Sequence, residues 1–233
     1  TKALLKNAHL FHTLKHQAKE FGITFDNLSY DWGAVIGRSR NVSDRLAGGV
    51  EFLFKKNKVD YVKGYGSVVD STHVEVKASD GSVQVLETSN IIIATGGKAR
   101  EFPGLPFNGS NVIGSREAMT LPSQPSRMVI IGAGAIGVEF AYIYNAFGTE
   151  VTLVEMMPRL VPVEDDDIGD ALKKSYSRQG IKCLTDTKVI ATENAGDSVR
   201  VTVEIAKGSQ VIEADICLVA IGVVPVLPGG QLP

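Results

Sequence analysis

Cysteine is scarce in this sequence: only Cys183 and Cys217 occur among 233 residues. Two thiols without Cys-x-x-Cys spacing make neither a disulfide framework nor a zinc knuckle. Both stand in strand-like stretches, where a small buried apolar residue is the ordinary reading, so a reducing cytoplasm is the expected setting. A surplus of one charge is also lacking, since 24 Lys and Arg face 26 Asp and Glu for a net charge of −2. Nucleic acid and anionic membrane surfaces, which need clustered Lys and Arg, are therefore not expected as partners. No apolar run approaches the ~20 residues of a membrane-spanning helix, and no charged-then-apolar signal segment opens the chain. Repeats of fixed period are missing too, which excludes a solenoid.

What is present is a globular composition, 44% hydrophobic and 21% charged, at a length that suits two units. Glycine is in excess, with 24 residues, about 10% against a usual level of roughly 7%. The apolar residues Leu4, Ala8, Phe11, Leu14, Ala18 and Phe21 recur at three and four spacing and predict an amphipathic helix over 3–21, stopped by Gly22. A second helical stripe, Val42, Leu46, Val50 and Leu53, predicts a helix over 31–57. Alternating β-branched residues predict strands over 59–69, 73–78 and 82–87, the last two joined by an Asp80-Gly81 turn. The run Ile91 to Ala94 reads as a buried central strand. Clustered Gly and Pro over 96–125 mark a connector. Beyond it, strand (128–131), turn and helix (132–147), and strand (151–155) form a βαβ unit, followed by a helix over 165–179 and strands at 181–184, 188–193, 198–205, 210–213 and 216–221.

Gly132-Ala133-Gly134-Ala135-Ile136-Gly137 matches the G-x-G-x-x-G fingerprint directly after a strand and at the start of a helix. The first glycine permits a tight turn, the second lets backbone approach a pyrophosphate, and the third allows helix and strand to pack closely. Glu155 ends the next strand, where a carboxylate accepts from the ribose 2′-hydroxyl of NAD and repels the 2′-phosphate of NADP. The competing readings are a turn chosen for packing and a solvated carboxylate. Glu139 falls in the first turn of the same helix, where by itself it reads as a dipole-stabilised surface carboxylate.

These residues, with Thr1-Lys2-Ala3-Leu4-Leu5, Lys63-Gly64-Tyr65-Gly66, Ile93-Ala94-Thr95-Gly96-Gly97 and Val219-Ala220-Ile221-Gly222, occur in the order and spacing of one family. The chain resembles the dihydrolipoyl dehydrogenases, within the flavin-dependent pyridine nucleotide-disulfide oxidoreductases, over residues 1–222. The resemblance implies an α/β fold: a doubly wound, Rossmann-like NAD-binding domain with a β-meander insertion (126–233) and an incomplete FAD-domain remnant with its connector (1–125). It implies that Lys2 lies beside the flavin and pairs with Glu139, that Gly66 contacts the FAD adenosine, and that Thr95, Gly96 and Gly97 border the FAD pyrophosphate. On the NAD side, Gly132, Ala133, Gly134, Ala135, Ile136, Gly137, Val138 and Glu139 line the dinucleotide. Glu155 holds its adenine ribose, Val189 touches adenine, and Gly222 approaches the nicotinamide.

The implied reaction of the whole enzyme is oxidation of dihydrolipoamide by NAD+, with electrons passing through a Cys pair and FAD. Lipoyl-bearing 2-oxoacid dehydrogenase complexes are the implied partners, and a homodimer the implied assembly. Family members carry an earlier FAD-binding glycine motif and a Cys-x4-Cys pair before the segment matching Thr1-Lys2, and a dimerisation domain with a His-Glu base after the final strand. Neither is in this sequence, which opens without Met and closes on a loop-like 225–233. A piece of about half the family chain, inactive in dithiol oxidation, is therefore expected. A fragment of a mercuric or glutathione reductase relative and a stand-alone NADH-binding module are the alternatives. No catalytic residue and no metal ligand is predicted: His9, His12 and His16 share a helix face without a completing ligand, and Glu164 to Asp167 are explained by heading a helix.

Overall fold

The computed structural model describes residues 1–205 and 208–227. Helix α1 (Lys2–Gln17) runs into a short 3-10 turn (Ala18–Phe21) that Gly22 closes. Its stripe buries Leu4, Ala8 and Ala18 fully and Phe11 and Leu14 partly, whereas Phe21 stays exposed. Then come α2 (Trp32–Lys56), β1 (Tyr65–Val68), β2 (His73–Lys77), β3 (Val83–Glu87), β4 (Gly97–Ala99), β5 (Val112–Ile113) and a single turn, α3 (Ser115–Ala118). The remaining elements are β6 (Arg127–Ile131), α4 (Ala135–Ala146), β7 (Glu150–Val154), α5 (Asp166–Arg178), β8 (Lys182–Leu184), β9 (Lys188–Asn194), β10 (Val199–Ile205), β11 (Gly208–Ala214), β12 (Ile216–Val219) and β13 (Val223–Pro225). The structure is mixed α/β, as expected.

By their internal contacts the residues fall into two compact units: Thr1–Val42 with Ala99–Gly222, and Ser43–Lys98 with the chain from Val223 on. This division differs from the expected 1–125 and 126–233, because contact sorts residues by packing and not by the cofactor they would serve.

The larger unit is built on a five-stranded sheet of order β5-β12-β6-β7-β8, parallel in every pairing. Its strands read as unbroken apolar runs because both faces are covered. Met128 and Ile130 of β6 pack with residues of α1, α4 and α5 on one face. Val129 and Ile131 pack with Val189, Val201 and Val203 of the antiparallel meander β11-β10-β9 on the other. The expected meander insertion is therefore present between β8 and β12, and it takes the place of helices on that face. From β6 the chain moves to β7 and β8 on one side, while β12 adds on the other, so the sheet has a switch point between β6 and β12. An aromatic cluster holds α1 to this unit: Phe11 stacks on Phe147 at 5.3 Å, and the Tyr30 hydroxyl donates to the Phe147 carbonyl at 2.6 Å.

In the smaller unit β1, β2 and β3 form an antiparallel sheet, and β4 pairs with β13. Several expectations fail here. The run Ile91 to Ala94 is not a strand, and Ile92 is 91% exposed. A central strand needs a backbone partner on each edge, and no described strand pairs with this run. The expected strand over 59–69 shrinks to β1. Of the expected buried stripe of α2, Val42 is half-buried, whereas Leu46, Val50 and Leu53 are exposed, at 65%, 48% and 51%. The expected loop at 225–233 begins instead as the end of β13, and its residues 228–233 lie outside the described residues.

Candidate functional site

A hollow of about 590 Å³ opens in the larger unit at the carboxyl ends of β6, β7 and β12. This is where open α/β sheets bind ligands. Gly132, Gly134, Ala135 and Ile136 line one side, and Glu155, Val189 and Gly222 complete the part foreseen from sequence. Each of the three motif glycines has a different reason to be glycine. Gly132 has φ +98°, and a Cβ there would stand 2.7 Å from the Ala220 carbonyl oxygen. A Cβ on Gly137 would stand 1.9 Å from the Gly132 carbonyl oxygen, so helix α4 packs against the turn only without one. At Gly134 nothing lies within 4 Å of the missing Cβ; the space faces the hollow.

Gly134 is also the N-cap of α4, and no side chain caps the helix. The first N–H groups of a helix have no partner within it, and their positive end favours an anion. The fit to a dinucleotide pyrophosphate is therefore steric and electrostatic at once.

Glu155 is buried, at 9% exposure. Its carboxylate accepts from the Ala133 N–H at 2.7 Å and the Met157 N–H at 2.9 Å. These are charge-assisted bonds that hold the turn, and a carboxylate with about four acceptor positions keeps others for a ribose hydroxyl. Neither reading considered for Glu155 anticipated this structural role. Val189 is 6% exposed and offers an apolar wall.

Other expected residues lie elsewhere. Ala133, Gly137 and Val138 are buried in the turn and helix rather than lining the hollow. Helix α4 begins at Ala135, so Glu139 lies beyond its first turn and the dipole reading does not apply; the structure does give the expected pair with Lys2, whose Nζ bonds Glu139 Oε1. In the smaller unit Gly66 sits on β1 opposite Val76, the Thr95 hydroxyl donates to the Val226 carbonyl, and Gly97 lies in β4. Gly66, Thr95, Gly96 and Gly97 are all exposed. By themselves they enclose no flavin.

Neither thiol is poised as a nucleophile. Burial pushes Cys183 up to about 11 and Cys217 up to about 12, which removes the reactive thiolate at neutral pH. They sit on β8 and β12 with two strands between, roughly 14 Å at the spacing of a sheet, too far for a bridge. His9 faces the Tyr142 hydroxyl at 3.3 Å, and the His12 and His16 rings lie 4.6 Å apart. Partial burial, then the neighbouring His16 and His9, lowers the His12 pKa. Among the described residues no group of three or more His, Cys, Asp or Glu could hold a metal. Asp165 is the N-cap of α5 but makes no side-chain capping bond; Asp166 and Asp170 instead pair with Arg159. The acidic cluster is thus explained by an ion-pair network and by the helix dipole, which favours Asp166 and Asp167 in the first turn.

Sequence reading missed Arg100, Phe102, Pro103 and Lys188, which also line the hollow. Three of them come from the Gly- and Pro-rich connector, which no spacing rule ties to a site. Lys188 carries only the weak signal of standing next to Val189.

The pyridine nucleotide-disulphide oxidoreductase family matches residues 1–230. The chain belongs to that family. Its members are FAD-dependent oxidoreductases, and the curated relatives include dihydrolipoyl dehydrogenases. One from Chlorobaculum parvum is 42% identical over 231 residues, covering 98% of this chain and 49% of the relative. A mitochondrial one from Schizosaccharomyces pombe is 39% identical over 232 residues, covering 98% and 45%. This pyridine nucleotide-disulphide oxidoreductase chain thus spans about half the length of the curated relatives it matches. The crystal structure of LpdA from Mycobacterium tuberculosis shares the fold, with a TM-score of 0.86 at 24% identity over 98% of this chain and 49% of that one. No described helix is long and apolar enough to cross a membrane.

Proposed function

We propose that this chain is the NAD-binding portion of a flavin-dependent dihydrolipoyl dehydrogenase. In the whole enzyme, dihydrolipoamide and NAD+ would give lipoamide and NADH. The observation that carries the reading is the hollow at the sheet switch point, where Gly134 leaves room above an uncapped helix N-terminus and Glu155 stands at the end of the adjacent strand. NAD supplies the hydride acceptor when bound. The chain's own residues bind and orient it: the α4 N-terminus takes the pyrophosphate, Glu155 accepts from the adenine ribose, Val189 covers adenine, and Gly222 leaves the nicotinamide side open.

In this reading 126–233 are the NAD-binding domain and 1–125 a partial FAD-binding domain with its connector. Exposure of Ile92, Leu46 and Val50 supports a flavin-domain remnant, since these apolar groups lack the cover that a complete domain would give. Lipoyl-bearing 2-oxoacid dehydrogenase complexes as partners, a homodimeric whole enzyme and a reducing, cytoplasmic setting belong to the same proposal.

Titration of the purified chain with NADH and NADPH, followed by nucleotide fluorescence, tests it. NADH binding with weaker NADPH binding is expected, since Glu155 would repel a 2′-phosphate. No NADH binding would overturn the reading, tighter NADPH binding would overturn the role of Glu155, and dihydrolipoamide-dependent NADH formation by this chain alone would overturn its inactivity.

A further inference from the structure

The charged residues lining the hollow are Arg100, Lys188 and Glu155. Glu155 is already committed to the Ala133 and Met157 N–H groups. Arg100 and Lys188 take part in no ion pair among the described residues. Both are exposed and therefore also screened by solvent ions; even with Glu155 they leave the rim of a mainly apolar hollow, beside an uncapped helix N-terminus, net positive, which favours an anionic ligand.

The two cations differ in where they are anchored. The Arg100 N–H donates to the Gly222 carbonyl at 3.0 Å, which ties this residue to the β12 end of the hollow. Lys188 opens β9 next to Thr187, whose N–H donates to the Glu155 carbonyl at 3.0 Å, and so belongs to the β7 end. With adenine and its ribose at Glu155 and Val189, the diphosphate and the second ribose lie towards Gly222, on the Arg100 side. A guanidinium offers paired donors that match phosphate oxygens two at a time, which an ammonium does not.

Resting on the dinucleotide reading, we infer that Arg100 is a diphosphate-binding residue, reaching the phosphates from the β12 end of the hollow. Arg100 would then set affinity for any ligand that carries the diphosphate, and leave adenosine recognition to Glu155 and Val189.

The test compares the wild-type chain with R100Q and R100K, using NADH, ADP-ribose and adenosine as probes in calorimetric or NMR titrations. R100Q is expected to weaken NADH and ADP-ribose by roughly 10-fold or more, the worth of a hydrogen bond to a charged group, with adenosine unchanged. R100K is expected to recover part of the loss, since charge returns without the fork. Wild-type affinity of R100Q for ADP-ribose, or an equal loss for adenosine, would overturn the assignment. Failure of the wild-type chain to bind NADH would instead overturn the dinucleotide reading itself, so the two failures are distinguishable.

Discussion

Gly134 and Gly137 separate binding from folding at the scale of one residue. Both are glycines of one motif, yet a Cβ on Gly137 would collide with backbone and a Cβ on Gly134 would meet only the open hollow. Gly137→Ala is expected to cost about 1–3 kcal/mol through overpacking, read as a lower denaturant midpoint. Gly134→Ala is expected to keep that midpoint within ~1 kcal/mol, the scale of an N-cap exchange, and to weaken NADH by roughly tenfold through loss of close backbone approach. Equal stability loss in the two variants would show that Gly134 serves packing. The motif's position was legible from sequence, as was Glu155. The Glu155 hydrogen bonds were not, because they depend on how the turn after β6 is folded against the turn after β7.

At the scale of the element, α1 shows how periodicity succeeds and where it stops. Leu4 and Ala8 are 1% and 0% exposed because they lie against α4 over the sheet. Truncating Leu4 to Ala leaves a cavity beneath α1, so a loss of about 2–5 kcal/mol is expected in chemical unfolding. A loss below ~1 kcal/mol would mean that α1 collapses into the space or is only loosely held. The stripe of α2 has the same spacing and the opposite fate, since Leu46 is 65% exposed. Spacing tells which residues share a face; it does not tell whether anything covers that face.

At the scale of the molecule, the two units differ in how completely they bury their apolar residues. The larger one sandwiches its parallel sheet between helices and a meander, with strand residues such as Val129, Ile130 and Leu218 at 0% exposure. In the smaller one Ile92, Val83 and Val85 remain exposed. Uncovered apolar surface of this kind drives association. Ile92→Lys is therefore expected to lower self-association of the purified chain in light scattering at unchanged thermal midpoint. A fall in midpoint would show that Ile92 contributes to folding of the isolated chain.

By itself, the sequence determined the two long N-terminal helices, the βαβ unit with its glycine turn, the meander and the family, because these rest on local spacing and on motif order. Only the tertiary structure decided that the run Ile91 to Ala94 is not a strand, that Glu155 is tied to the Ala133 and Met157 N–H groups, and that Arg100 and Lys188 join a hollow with Glu155. The physical reason is common to all three. Strand pairing, hydrogen bonding from turn to turn and cavity walls are formed between residues distant in sequence, so they depend on which surfaces meet and not on the order in which residues follow one another.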